Sequence, residues 1–325
     1  SLLFIAVFAL VLSAFGQVSP THEQYVTIGS SSVPWYTAYR ALDESQIGSK
    51  ALYQNLDPDM AENENFFISR VKPRDRFVYT GTQVRESLNP ARKLLWWCPI
   101  GVSGWNALPA YFFNSEVFTM WSYVDIYGNW TAPFVIMPGA MTDICHKNGV
   151  ETSVLASVPW SHTVTVSDGD HGSNFSAMID GGAQKFLKYL KYYGIDGIGF
   201  NSEFYFSPTS FATSMKEFLS STFSQREAMG WPTFHNCWYS LMYNSGSCGG
   251  PLYLSDDNCD WFHYNNYPTS DAYFMNYGWG ALELKKSQDK ASSFSGRSSF
   301  DVYAGINYQS GAGVSFPVLS SYSIS

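Results

Sequence analysis

In the stretch IDGIGFNSEF, residues 195–204, an amide and a carboxyl stand two positions apart, at Asn201 and Glu203. Side chains alternate between the two faces of a strand, so Ile195, Gly197, Gly199, Asn201 and Glu203 share one side. Ile198 and Phe200 take the other, apolar side. On the first side the two glycines leave room beneath the amide and the carboxyl, which then converge on one ligand. Hydrolysis of a glycosidic bond needs an acid to protonate the leaving oxygen and a second group to stabilise positive charge at the anomeric carbon. Glu203 is suited to be the acid. Asn201 does not ionise, so it is neither nucleophile nor base. Its amide can orient and polarise another amide, such as the 2-acetamido group of an N-acetylglucosamine, which then attacks the anomeric carbon itself. An N-x-E triplet also arises by chance, and Asp-Gly is common turn chemistry. The place of the pair in the fold decides between these readings.

The elements that must carry the pair alternate along the chain. Candidate strands are KLLWWCPIG (93–101), VFTMWSYVDIYG (117–128), VETSVLASVPW (150–160), IDGIGFN (195–201), PTFHNCWYSL (232–241), AYFMNYGWG (272–280) and DVYAGINY (301–308). Helical patterns lie between them, at 138–149, 175–194, 213–230 and from 281 to 294. The second has Phe186, Leu187 and Leu190 on one side, Lys185, Lys188 and Lys191 on the other, and Gly194 as its stop. Strand–helix alternation predicts a parallel sheet with helices outside. No G-x-G-x-x-G or G-x-x-x-x-G-K-[ST] is present, so a phosphate cradle is not supported. The expectation is an α/β fold, a (β/α)8 TIM barrel, with Asn201 and Glu203 at the C-terminal rim where barrel enzymes keep their chemistry. Six or seven strands against eight predict a chain cut before the barrel closes, with unpaired edges.

The 325 residues divide into a leader at 1–17, an arm at 18–90 and the barrel from 91 to 325. Residues 2–15 are almost all apolar, followed by small residues, as in a signal peptide lacking its basic start. That predicts a secreted or periplasmic protein with no transmembrane segment in the mature chain. A net charge of −8 argues against nucleic acid and against a polybasic membrane anchor. Aromatics make up 18% of the chain, which fits either an aromatic-rich core or platforms for flat sugar rings. Five cysteines without C-x-x-C spacing exclude a zinc ribbon; Cys237, Cys248 and Cys259 leave open one disulfide or buried thiols.

Further residues have two readings each. Trp96, Trp97, Trp160 and Trp238 lie at strand ends, where an indole either stacks on a sugar or fills the barrel. SDGDHGSN (167–174) holds Asp168, Asp170 and His171 but lacks calcium-loop spacing, and reads as a solvated loop. His146 and His235 have no partner at ligand spacing and read as structural. No metal site and no G-x-S-x-G nucleophile is expected.

Five segments, in order, resemble glycoside hydrolase family 85, the endo-β-N-acetylglucosaminidases. PGAMTDICHKNGVETSVLASV (138–158) resembles a family segment in which a helix ending in His-x-Asn-Gly-Val leads into a strand. YYGIDGIGFNSE resembles the signature Asp-Gly-x-x-x-Asn-x-Glu, met at Asp196, Gly197, Asn201 and Glu203. CWYS (237–240) resembles a Trp-Tyr-Asp-Ser stretch, with Ser240 directly after Tyr239 where the family has Asp. DAYFMNYGWG (271–280) resembles the strand carrying Asn-Tyr-x-Trp, and DVYAGIN (301–307) an Asp-Val-Tyr-x-Gly-Ile-Asp stretch with Asn307 in place of Asp. The resemblance implies a (β/α)8 barrel that cleaves the GlcNAc-β1,4-GlcNAc bond in the core of N-linked glycans, by substrate-assisted retaining catalysis without metal or cofactor. It implies Glu203 as acid/base, Asn201 holding the acetamido group and Tyr239 orienting it. Trp279 and Asn276 would line the cleft, and Tyr277, Trp238, Trp160 and Trp97 are expected there with them. Two alternatives stand beside it. The family 18 pattern D-G-x-D-x-D-x-E lines up with DGIGFNSE, but Gly199 and Asn201 stand where its inner aspartates belong. An inactive glycan-binding barrel would have no use for the acid.

Overall fold

The computed structural model describes residues 39–40, 43–47, 68–69, 71–75, 93–98, 121–129, 139–157, 162–165, 169–239 and 241–306. The expected leader, most of the expected arm, and the expectations at Trp160, Ser240 and Asn307 lie outside these residues. The short apolar runs form strands β1 (Leu95–Cys98), β2 (Ile126–Asn129), β3 (Glu151–Ser157), β4 (His162–Thr165), β5 (Gly197–Asn201), β6 (Phe204–Ser207), β7 (His235–Tyr239), β8 (His263–Tyr264), β9 (Tyr267–Pro268), β10 (Ala272–Met275) and β11 (Val302–Ala304). The helices are α1 (Gly139–Lys147), α2 (Gly169–Tyr193), α3 (Thr209–Ala228) and α4 (Ala281–Ser292). Among the described residues seven strands form one sheet in the order β1-β2-β3-β5-β7-β10-β11, every pair parallel. Each new strand adds on the same side of the last. That winding belongs to a barrel, whereas a doubly wound sheet reverses direction.

The sheet is curled. Trp97 on β1 stacks on Phe274 on β10, with ring centroids 5.2 Å apart. Five steps across a flat sheet, at about 4.8 Å each, would separate these strands by roughly 24 Å. Two apolar layers result. Cys237, Tyr239, Leu241, Ala272 and Phe274, with Trp97, Tyr277 and Tyr303 against them, fill the interior. Val154, Ile198, Phe200, Trp238 and Tyr273 face outward onto Phe186, Leu190, Met215 and Leu219 of α2 and α3. The alternation of β5 and β7 sorts their residues between the two layers.

The predicted helix stop at Gly194 is present: its φ of 78° lies in the left-handed region that suits glycine. Two expectations are corrected. Residues 169–174, read as a solvated loop, form the first turns of α2. The helix is also not continuous, because Gly182 (φ 75°, ψ 163°) breaks it. The four cysteines whose side chains are described, Cys145, Cys237, Cys248 and Cys259, are free thiols, so no disulfide joins them. No helix among the described residues is long and apolar enough to cross a membrane.

At the N-terminal end of the barrel, aspartates add one rung to alternate ladders. Asp125, Asp196 and Asp271 each immediately precede a strand. Their carboxylates accept the backbone N–H of Leu94 (2.7 Å), just before β1, of Thr152 (2.8 Å) on β3 and of Asn236 (2.8 Å) on β7. Asp196 also accepts from Thr152 Oγ1 at 3.0 Å and from His146 Nε2 at 2.8 Å. The other ring nitrogen of His146 faces the Val71 carbonyl at 2.6 Å. Both neighbours are acceptors, so both ring nitrogens carry protons and the ring is an imidazolium. Burial opposes this charge, but the hydrogen bond and charge of Asp196 outweigh it and hold the His146 pKa above its usual value. His146 is thus a partnered structural residue.

Candidate active site

Every residue of β5 is buried. Gly197, Gly199 and Asn201 face the interior, and the sequence predicts open room beneath the amide. That room is filled by the protein itself. A Cβ on Gly199 would lie 2.1 Å from Trp97 Cζ2, and one on Gly197 would lie 2.2 Å from His235 Nε2. A Cβ on Gly128 of β2 would meet Trp97 Cδ1 as well. The glycines are there because an indole and an imidazole pass over them. Trp97 therefore forms the floor beneath Asn201, and is not a wall of the cleft.

Above this floor Asn201 Nδ2 donates to Glu203 Oε2 at 3.3 Å. Asn201 Oδ1 is buried and has no hydrogen-bond partner. Half-burial pushes the Glu203 carboxyl above the usual carboxylate range, and the bond from Asn201 pulls partly against that shift. Two phenols lie within electrostatic reach. Burial first, then the charge of Glu203, raises the pKa of Tyr239 on β7 and of Tyr277 just after β10. Their ring centroids are 6.1 Å apart, and Phe274 lies 5.5 Å from Tyr239 and 6.1 Å from Tyr277. Three further residues adjoin these groups, and of them the sequence singled out Cys248 alone, as a disulfide partner or a buried thiol. Ser202 Oγ donates to the Tyr239 carbonyl. Cys248 is buried, its thiol raised first by burial and also by the charge of Glu203. Leu241 adopts φ 101°, a strained conformation for a branched side chain. Ser202 and Leu241 carry no motif, so neither was visible in the sequence.

The structure brings together Asn201, Glu203, Tyr239 and Tyr277. Asn276 adjoins them, its Oδ1 accepting the Tyr277 backbone N–H at 2.5 Å. Trp238 and Trp279 are placed elsewhere. Trp238 alternates with Tyr239 and so points outward; it is fully buried, 4.3 Å from Trp261 and 5.4 Å from Phe200. Trp279 is buried as well, and its Nε1 donates to the Gly305 carbonyl at 2.7 Å. It ties the turn after β10 to the segment after β11. Both were expected to line the cleft, and both instead pack the outer layer.

A cavity of about 520 Å³ opens at the N-terminal end, lined among others by Lys93, Arg226, His235, Asp271 and Arg297. It lies at the opposite end from Glu203, where barrels place residues that serve stability. Among the described residues no cluster of three or more His, Cys, Asp or Glu is placed to hold a metal ion.

A curled, wholly parallel sheet thus carries a half-buried acid and an amide side by side at its C-terminal rim. The sequence profile of glycosyl hydrolase family 85 matches residues 109–317, more than half of the chain, and the chain belongs to that family. Among solved structures it is similar to the crystal structure of the glycoside hydrolase domain of Endo-D from Streptococcus pneumoniae R6. The TM-score is 0.61 at 21% identity, over 78% of this chain and 40% of that one, so the likeness concerns the fold. This chain thus spans less than half the length of that structure. No curated protein matches the sequence.

Proposed function

We propose that the chain is an endo-β-N-acetylglucosaminidase that hydrolyses the GlcNAc-β1,4-GlcNAc bond in the core of N-linked glycans. The observation that carries this reading is the pair at the rim. Glu203 is held towards its protonated form, and beside it an amide oxygen of Asn201 is buried without a partner. A buried acceptor left unpaired is costly, and a ligand N–H would satisfy it.

In the first half of the reaction Glu203 gives its proton to the glycosidic oxygen. As the bond from that oxygen to C1 breaks, the oxygen of the substrate's 2-acetamido group bonds to C1 from the opposite face. The product is a cyclic oxazolinium. Asn201 Oδ1 accepts the acetamido N–H and so enriches the attacking oxygen. The Tyr239 phenol keeps its proton at neutral pH and donates to the acetamido group. In the second half a water gives a proton to the Glu203 carboxylate, and its oxygen bonds to C1. The bond from C1 to the acetamido oxygen breaks at the same time, restoring the acetamide. Two inversions give retention. Tyr277 and Asn276 flank the sugar, and the scheme draws on no cofactor. The apolar leader supports action outside the cytoplasm.

The test is incubation of wild type and Glu203→Gln with a high-mannose glycoprotein, with the released glycan read by mass spectrometry. Wild type is expected to release a glycan ending in one GlcNAc and to leave one on the protein, and the variant to release about 10²–10⁴-fold less. Binding by both proteins without release would replace this reading with that of a glycan-binding barrel.

A further inference from the structure

We propose that Ser202, between the amide and the acid, is a positioning residue that fixes the acid-bearing strand against Tyr239. The inference rests on the hydrolase reading above and assigns a residue that reading leaves out.

The backbone ladder between β5 and β7 runs from Gly197↔His235 to Phe200↔Trp238 and stops there. On its other side β5 stays paired one residue longer, to Ser157↔Asn201 of β3. The chain then departs into β6, which pairs with β4. A strand that leaves its neighbour cannot keep offering backbone N–H groups to it. The Ser202 hydroxyl supplies the next bond instead: it is fully buried and donates to the Tyr239 carbonyl. Tyr239 is held from its other side by the ladder to β10, at Phe274↔Tyr239. Just beyond it, Leu241 turns the chain away with its φ of 101°. Tyr239 is thus the last ladder residue of its strand, and the Ser202 bond spans from it to the segment bearing Asn201 and Glu203. Without this bond the two strand ends are free to part at the point where phenol and carboxyl must meet one acetamido group. An error of about 1 Å in such a geometry costs up to about a hundredfold in rate.

The experiment compares wild type, Ser202→Ala, Ser202→Thr, Tyr239→Phe and the Ser202→Ala/Tyr239→Phe double variant on a glycopeptide. Ser202→Ala is expected to lower kcat about tenfold or more with KM changed less than about twofold, and Ser202→Thr to recover most of the loss. Against Tyr239→Phe, the alanine is expected to add less than about twofold, because residues acting as a unit are not additive. A rise in KM alone, or a full additive loss, would overturn the inference. A second measurement needs no activity. The Tyr239 resonance in NMR of protein with isotope-labelled tyrosine, assigned by its loss in Tyr239→Phe, should move as Glu203 titrates, a step missing in Glu203→Gln. Ser202→Ala should shrink that step by more than about half, since the interaction weakens with distance, and Ser202→Thr should keep it. An undiminished step overturns the inference whether or not glycan is released. A step that collapses in a protein releasing no glycan supports the tie and overturns the hydrolase reading alone.

Discussion

Asp196 and Glu203 stand at opposite ends of the segment that forms β5, and their surroundings differ in kind. At the lower end one oxygen of Asp196 accepts from a buried imidazolium, a backbone N–H and a hydroxyl, all within 3.0 Å. At the upper end Glu203 receives one longer bond, from Asn201. The same contrast holds for their neighbours. Asn236, behind the Asp271 rung, uses both ends of its amide, donating to the Thr269 carbonyl and accepting from the Asp271 backbone. Asn201 leaves its oxygen unpaired. Satisfied polar groups make a frame, whereas unsatisfied ones beside an acid of raised pKa mark a place where something else binds.

Four substitutions sharpen or break this contrast. Glu203→Gln should reduce glycan release about 10²–10⁴-fold. It should not destabilise the fold. Burial raises the Glu203 pKa, so its ionised form costs stability as pH rises through the folded value, and the glutamine removes that slope. The melting temperature of the variant should therefore gain on wild type with rising pH; a fall instead would mean that Glu203 belongs to the frame. Asp196→Ala should do the opposite, costing about 3–5 kcal/mol in urea unfolding because it strands a buried imidazolium. Glycan release per folded molecule should change little, and a selective loss of release would erase the distinction between the two ends.

Gly199→Ala tests what the interior glycines are for. Its methyl would meet Trp97, so a loss of about 1–3 kcal/mol is expected in thermal unfolding, with part recovered when Trp97 is shortened to leucine. Full stability in the single variant would show that the space was open.

The smallest effect concerns His235 and Glu151 below that floor, 3.4 Å apart. Burial is the main cause of both shifts, pushing His235 down to about 4 and Glu151 up to about 7. The charges of Lys93 and Arg226 also disfavour the His235 cation, against the opposing pull of Asp196. For Glu151, Lys93 opposes the rise, while Asp196, Asp125 and Asp271 add to it. His235 costs stability as pH falls from its ordinary 6.5 through about 4, and Glu151 costs stability as pH rises from its ordinary 4.5 through about 7. The slopes oppose each other. In Glu151→Gln the histidine acts alone, so the melting temperature should drop more steeply than that of wild type between pH 6.5 and 4.5. Glu151 is 35% exposed, so the difference should be a few degrees at most. Parallel pH curves would show that burial does not hold Glu151 above its ordinary value.

Strand–helix alternation was legible because period-two runs separated by glycine-stopped helices have few other solutions. The rim pair was legible for the same reason. The alternation that puts Tyr239 on the interior side also sends Trp238 outward, and expecting both in the cleft overlooked it. Trp279 is a different case. Its burial depends on a carbonyl at Gly305, and no local pattern reports a contact made in the folded state. Glycines at 197 and 199 announce missing side chains but not what occupies the space. The start of α2 was hidden by its Asp, Gly and Ser, residues with turn chemistry that folded context overrides.

Trp97 lies on the first strand of the sheet, yet its indole rests on β2 and β5 and stacks on β10, more than half the chain away. Contacts of such separation form late, because the intervening loop must close before they return any energy. The earliest of the described strands is thus the one whose inner face waits longest for its neighbours. Until β10 arrives this indole keeps a face open, and nascent chains of intermediate length present a sticky tryptophan to whatever chaperone or neighbouring chain they meet.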